Sequence, residues 1–295
     1  EQLIEEIIAK TCNIPAASIK KSETKKLLEL DKAIKETVFG QDEAIEATVN
    51  CIKMSRAGLK PGNKPIASIL YLGPTGVGKT EVARKLAEKM DCPLVRFDMS
   101  EYMDETSVNK FIGSSAGYVG YEDGGQLVEA IRKNPHCVLL LDEIEKANPK
   151  VFNILLQVMD YATLSDNKGR KADFKNVVII MTSNAGARDT MRKNLGFSNE
   201  LVSYDAGAMD NAVKGLFTPE FRARLTKIIK FNPLSEDMGK RIVKYQLDSL
   251  EKLLASKKVK LSYTDAVVKY VEDKGISKES GARLIQTVVE TDITP

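Results

Sequence analysis

Apolar residues in this chain recur with two periods, and their alternation predicts the architecture. Five short, mainly apolar stretches read as buried strands: Ile69 to Leu72, Leu94 to Asp98, Val138 to Asp142, Val177 to Thr182 and Ile228 to Phe231. Between them the apolar positions shift to helical spacing, as in Val82, Ala83, Leu86 and Ala87, with Met90 closing the face. Strands separated by helices imply βαβ units and a mainly parallel sheet covered on both faces. After Pro233 the pattern changes. Met238, Ile242, Tyr245, Leu250, Leu253 and Leu254 describe one long amphipathic helix, with Ser235 placed as its N-cap. The predicted organisation is a leading helical segment over 1–28, an α/β domain over 29–233 and a small helical domain over 234–295. Leu27 to Leu59 reads as helices broken near Phe39-Gly40, and Lys60 to Pro65 as a breaker-rich loop.

The first predicted strand runs into Gly73-Pro74-Thr75-Gly76-Val77-Gly78-Lys79-Thr80, a G-x-x-x-x-G-K-T octet followed by a helix. Glycines let successive backbone N–H groups converge on phosphate oxygens without a Cβ clash. Lys79 can reach the β- and γ-phosphates, and the Thr80 hydroxyl can ligand Mg²⁺. The helix start adds its own attraction for anions. Strand, loop and helix in this order predict a nucleoside triphosphate site.

A second predicted strand, Cys137 to Asp142, has no solvent face and ends in Asp142-Glu143. Acids there lie at the carboxyl edge of a parallel sheet, where α/β proteins bind ligands. Asp142 would hold Mg²⁺ and Glu143 would polarise an attacking water. Val177 to Met181 leads to Thr182-Ser183-Asn184 at the same edge. Asn184 could orient that water, although beside Ala185-Gly186 it also reads as a turn residue.

Composition narrows the field. With 295 residues there is room for about two domains. A net charge of +3 gives no pull toward nucleic acid or anionic membranes. No apolar run approaches the roughly 18 residues of a membrane span. Cys12, Cys51, Cys92 and Cys137 form no C-x-x-C pair, which fits a reducing cytosol. His136 is the single histidine, so hydrolysis must run on carboxylates, Mg²⁺, Lys and Arg. The start at Glu1 rather than Met reads as a fragment or processed form.

These motifs, with Phe221-Arg222-Ala223-Arg224 and Gly281-Ala282-Arg283, resemble the AAA+ ATPases of the Clp/Hsp100 class. Val38-Phe39-Gly40-Gln41, Arg96 to Tyr102, Leu141 to Ala147 and Phe217 to Phe221 look like the second ATPase module of the ClpA-type unfoldases. The resemblance covers nearly the whole chain. It implies an AAA+ P-loop NTPase with a five-stranded parallel sheet and a smaller C-terminal helical domain, binding ATP or ADP with Mg²⁺. It also implies a cytoplasmic hexamer that unfolds proteins, with adaptors as further partners. By the same resemblance Val38 and Phe39 line the adenine pocket, and Asn184 and Arg283 are the two sensors. Arg224 becomes an arginine finger reaching into a neighbouring subunit. Without the family, Arg222 and Arg224 read as solvated helix charges.

Two further segments resemble contact elements of that class. Gly117-Tyr118-Val119-Gly120 matches the pore loop that grips substrate, whereas the residues alone favour a tyrosine buried in a turn. Ser114-Ser115-Ala116 replaces the prolines common ahead of that loop. Leu195-Gly196-Phe197 is similar to the tripeptide by which Clp unfoldases dock on the ClpP peptidase, and it equally reads as a helix C-cap. ClpB-type disaggregases lack the tripeptide, so its presence favours a peptidase partner over a stand-alone disaggregase. The chain ends earlier than the family's small domain, which reads as truncated.

Overall fold

The computed structural model describes residues 22–59, 62–113, 124–186, 206–255, 257–277 and 281–294. Two helices open it, α1 (Ser22–Lys35) and α2 (Asp42–Arg56). The α/β unit follows as β1 (Ala67–Leu72), α3 (Lys79–Lys89), β2 (Leu94–Asp98), α4 (Glu105–Ile112), α5 (Gln126–Lys133), β3 (Cys137–Asp142) and α6 (Pro149–Tyr161). A hairpin, β4 (Thr163–Ser165) and β5 (Lys171–Asp173), precedes β6 (Val177–Ser183), α7 (Ala206–Leu216), α8 (Pro219–Arg224) and β7 (Lys227–Lys230). The helical domain holds α9 (Glu236–Ala255), α10 (Asp265–Gly275) and α11 (Ile285–Val288), which runs into a π turn at Val289–Ile293.

Five strands form one parallel sheet in the order β2-β3-β6-β1-β7. The register sets Leu139 beside Val95 and Ile179, and Leu70 beside Met181 and Ile228. Successive side chains leave a strand on opposite faces, so each central strand serves two cores. Ile69, Tyr71, Val138, Leu140, Val178 and Ile180 pack with Ile45, Val49 and Ile52 of α2 and with Val82 and Leu86 of α3. Leu70, Leu72, Leu139, Leu141, Ile179 and Met181 pack with α4, α5 and α6 on the other side. The tyrosine in this interior keeps a partner: Tyr71 Oη lies 2.9 Å from Thr48 Oγ1. Burial pushes its hydroxyl pKa far up, so it stays protonated.

All five predicted strands are present, and so is the Ser235 cap, whose Oγ accepts from Met238 N at 3.3 Å. The expected boundary near residue 28 falls inside α1, and Leu30 and Ile34 of that helix join the same core as α2. Two elements differ from expectation. The hairpin strands are three residues each, with only Leu164 and Ala172 buried, too short a pattern to read. The connection expected from Ala185 to Gly215 ends in helix α7, which inserts Met209 and Val213 into the interior.

Val243, Leu247, Val268, Val271, Ile285 and Val289 form a separate core in the helical domain. Among the described residues no helix is long and apolar enough to cross a membrane.

Candidate active site

Parallel pairing brings the ends of β1, β2, β3 and β6 to one edge, and the chemistry collects there. Between β1 and α3 the chain turns at Gly73, Gly76 and Gly78, whose φ angles of 152°, 74° and 102° are strained for any side chain. Lys79 is buried, and its Nζ donates to Gly73 O and Pro74 O, both at 2.6 Å, and to Asn184 Oδ1 at 2.8 Å. Burial pushes the Lys79 pKa down to about 8, opposed by Glu145 and Asp142 and assisted by Arg283. A lysine this dehydrated, with phosphate-reaching geometry, gains most from a polyanion that restores its charge partner.

Asp142 ends β3 as a buried carboxylate with both oxygens engaged. Its Oδ1 accepts the Thr182 hydroxyl, and its Oδ2 accepts from Arg96 Nη2 at 2.7 Å and from Thr80 Oγ1 at a long 3.5 Å. Thr182 Oγ1 also accepts from Glu143 N at 3.1 Å, which binds the ends of β3 and β6 together. Glu143 itself takes a left-handed φ of 54°, unusual for a residue with a Cβ and the kind of strain that gathers at functional sites. Its carboxylate lies 2.7 Å from Lys146 Nζ, and that bond raises the Lys146 pKa. Glu145, a third acid, accepts from Asn184 N at 3.2 Å and leaves its buried Oε2 without a protein partner.

The helical domain closes the site. A cavity of about 560 Å³ is lined by the phosphate loop, Asp142, Glu143 and Asn184 on one side and by Tyr245, Ala282 and Arg283 on the other. Val38 and Phe39 line its remaining wall. Phe39 meets Tyr245 edge-on at 5.9 Å, and the Arg241 guanidinium sits 4.4 Å above the Phe39 ring. Gln41 is almost wholly buried: its Nε2 donates to Asn232 O at 2.9 Å and Val77 O at 3.2 Å, while its Oε1 accepts from Asn232 N at 2.9 Å.

Ala282 N donates to Gly76 O at 3.2 Å, so the helical domain touches the phosphate loop through backbone. A Cβ on neighbouring Gly281 would fall 2.6 Å from Thr75 O and 2.8 Å from Gly76 Cα, and its φ is +59°. Gly281→Ala therefore has to displace the loop or the domain, and the left-handed backbone adds about 1–2 kcal/mol of strain. Nucleotide affinity is expected to fall by about tenfold. A fluorescent-nucleotide titration beside a melting curve checks this, and unchanged affinity in a folded variant would contradict the contact.

Of the residues expected at the site, Val38, Phe39, Thr75, Gly76, Val77, Gly78, Lys79, Thr80, Asp142, Glu143, Asn184 and Arg283 surround this one cavity. Gly73 and Pro74 stand behind it as acceptors for Lys79. Arg224 is not part of the lining; its Nε lies 2.7 Å and 2.9 Å from the two carboxylate oxygens of Asp160. Gly117, Tyr118, Val119 and Gly120, and also Leu195, Gly196 and Phe197, fall outside the described residues. Arg96, Glu145 and Gln41 were missed as site residues. For Arg96 a signal existed, since its predicted strand also ends at the ligand-binding edge.

The donor set suits a divalent cation bound together with phosphate. Among the described residues no cluster of three or more His, Cys, Asp or Glu side chains could hold a metal by itself. One hydroxyl and one carboxylate beside a phosphate loop are what Mg²⁺ uses when a nucleotide supplies its other oxygens.

Comparison with known families agrees with this geometry. The model described as "AAA domain (Cdc48 subfamily)" matches residues 64–228, and that described as "C-terminal, D2-small domain, of ClpB protein" matches 234–295. A ClpA homolog protein of Fuscovulum blasticum is 45% identical over 290 residues, covering 98% of this chain and 36% of that protein. Chaperone protein ClpB 1 of Nostoc sp. is 43% identical over 295 residues, covering 98% of this chain and 33% of that one. Chaperone protein ClpB of Clostridium perfringens is 44% identical over 301 residues, covering 99% and 34%. The chain thus spans about a third of the length of these relatives.

Proposed function

The chain belongs to the AAA+ ATPases of the Clp/Hsp100 class, as a second ATPase module with its small domain, and on that premise we propose that it hydrolyses ATP to unfold and translocate proteins. One observation carries the reading: Lys79, Thr80, Asp142, Glu143, Asn184 and Arg283 surround a single cavity between the two domains. Lys79 exchanges its loop carbonyls for the β- and γ-phosphates, and the loop N–H groups orient the triphosphate. Thr80 and Asp142 would hold Mg²⁺, which would supply positive charge against the phosphate oxygens. Glu143 draws a proton from the attacking water, and Asn184 keeps that water in line with the γ-phosphorus. The bond to the β–γ bridging oxygen breaks, and Lys79 and Arg283 offset the charge that develops there. Arg224, tied to Asp160 outside this cavity, serves the site of the next subunit in a hexamer.

Hydrolysis would be transmitted through Arg283 and the Ala282–Gly76 contact to the helical domain, while substrate would be gripped by Tyr118, in the segment between α4 and α5 of the α/β unit. An aromatic there grips polypeptide by apolar area regardless of sequence. The free thiols Cys92 and Cys137 support a reducing, cytoplasmic setting.

Leu195-Gly196-Phe197 supports delivery of substrate into ClpP. The ClpB relatives favour the other reading, a disaggregase that works without a peptidase. Replacing Leu195 and Phe197 by serine in the intact ring separates them. For a docking segment, two apolar anchors contribute about 1.5–3 kcal/mol each at best, multiplied by avidity around the ring. The double variant should lose ClpP binding and processive degradation while ATPase and unfolding persist. Undiminished ClpP binding would refute the docking role. A parent ring that never binds ClpP would leave the disaggregase reading.

A further inference from the structure

Arg96 is the cation nearest the Asp142 carboxylate, and no role in the reaction as proposed uses it. It sits at the third position of edge strand β2, level with Leu140 in the register, and its side chain reaches the carboxyl edge of the sheet. Its Nη2 lies 2.7 Å from Asp142 Oδ2, the oxygen that also faces Thr80. The partners are unequal: the Arg96 side chain is 50% exposed and that of Asp142 only 8%. The other carboxylate oxygen is committed to Thr182. Arg96 lines the nucleotide cavity together with Asp98, and it is electrostatically coupled to that second acid.

A purely structural ion pair would explain these contacts if the sheet needed it. It does not, because β2 is already joined to β3 along Leu94 to Asp98 by backbone pairing. A half-exposed guanidinium on a buried carboxylate oxygen places a positive charge where a divalent cation shared with Thr80 would draw on that same oxygen. Two cations there repel, and the carboxylate divides its charge between them.

We propose that Arg96 is a built-in counter-cation of Asp142 that competes with Mg²⁺ and so sets the metal concentration at which nucleotide is held tightly. The proposal rests on the ATPase reading above. When Mg²⁺ engages Asp142, Arg96 swings toward Asp98, which lines the same cavity. The buried carboxylate is thereby compensated in either arrangement, by Arg96 or by the metal, and the competition lowers the affinity of the site for the metal.

The test titrates Mg²⁺ against binding of a fluorescent ADP, with a chelator-treated sample as the metal-free reference. Arg96→Ala is expected to lower the half-saturating Mg²⁺ concentration by about tenfold. Affinity for ADP in chelator should stay within about twofold of the parent, since the guanidinium is assigned to Asp142 and not to phosphate. Melting curves without metal should show Arg96→Ala less stable than the parent, and saturating Mg²⁺ with ADP should narrow the difference. Arg96→Lys keeps the charge and should fall between the two, and it carries the test if the alanine variant does not fold. An unchanged Mg²⁺ dependence overturns the proposal. So does an equal loss of ADP affinity with and without metal, which would make Arg96 a phosphate ligand. A parent whose ADP affinity ignores Mg²⁺ would overturn the ATPase reading as well, whereas a responsive parent with an identical variant overturns this inference alone.

Discussion

Glu143→Gln should leave nucleotide bound and bring turnover nearly to a stop, with kcat lower by about 10²–10⁴-fold. The substitution keeps the shape of the side chain and removes only its capacity to take a proton. The backbone features that place it, the φ of 54° and the N–H bond to Thr182 Oγ1, belong to the main chain and survive the change. What is lost in the fold is the ion pair with Lys146, whose side chain is 47% exposed. Pairs that open to solvent contribute little to stability, so melting temperature should hardly move. Phosphate release at saturating ATP, measured beside fluorescent-nucleotide affinity, gives the two numbers. A kcat within threefold of the parent would remove Glu143 from the reaction.

Arg224→Ala should be as severe in the assembled ring and silent in the isolated chain. A guanidinium supplied to the γ-phosphate across an interface accelerates hydrolysis by about 10³–10⁵-fold where such fingers operate. Nucleotide affinity of the single chain should be unaffected, because Arg224 does not line its own cavity. The pair with Asp160 holds the guanidinium on α8 and raises its pKa, so the charge is in place without nucleotide. Mixing Arg224→Ala chains with Glu143→Gln chains makes the assignment testable. Each lacks a group the other carries, so mixed rings should regain a fraction of the ATPase activity. Mixing that restores nothing, in rings shown to be mixed, would place Arg224 in its own subunit's chemistry or outside the chemistry altogether.

Much of the site was legible because its residues advertise themselves locally. The octet Gly73 to Thr80 needs no partner to be recognised, and Cys137 to Asp142 is apolar until its last position. Parallel strands then deliver both to one edge without further information. Gln41 was illegible as a site residue for the opposite reason, and Arg96 carried only the signal of a strand that ends at the ligand-binding edge. Arg96 finds its partner 46 residues away, and Gln41 finds Asn232 across 191. A polar residue that will be buried carries no local mark of the distant groups that will satisfy it. Strand ends also shifted for long-range reasons. β1 begins at Ala67, not Ile69, because Ala67 and Ser68 pair with Val178 and Ile179 of β6, and the buried Ser68 donates its N–H to Thr226 Oγ1 at 3.0 Å.

Gln41 has a mechanical consequence. Phe231 N is bonded to Leu72 O, and both backbone groups of Asn232 are fixed by the Gln41 amide. Up to that residue the connecting chain is therefore continuous with the sheet. Any rotation of the helical domain must find its fulcrum just beyond Asn232, and the same amide holds Val77 O of the phosphate loop. Arg283 follows α9 and α10 in the chain, yet it lines the same cavity as Val77. A rotation at the fulcrum would shift Arg283 against the phosphate loop, while the Gln41 amide keeps Val77 with the fixed arm. The gearing thus runs one way: such a motion would be taken up on the Arg283 side of the cavity and not at Val77, which the Gln41 amide ties to the sheet.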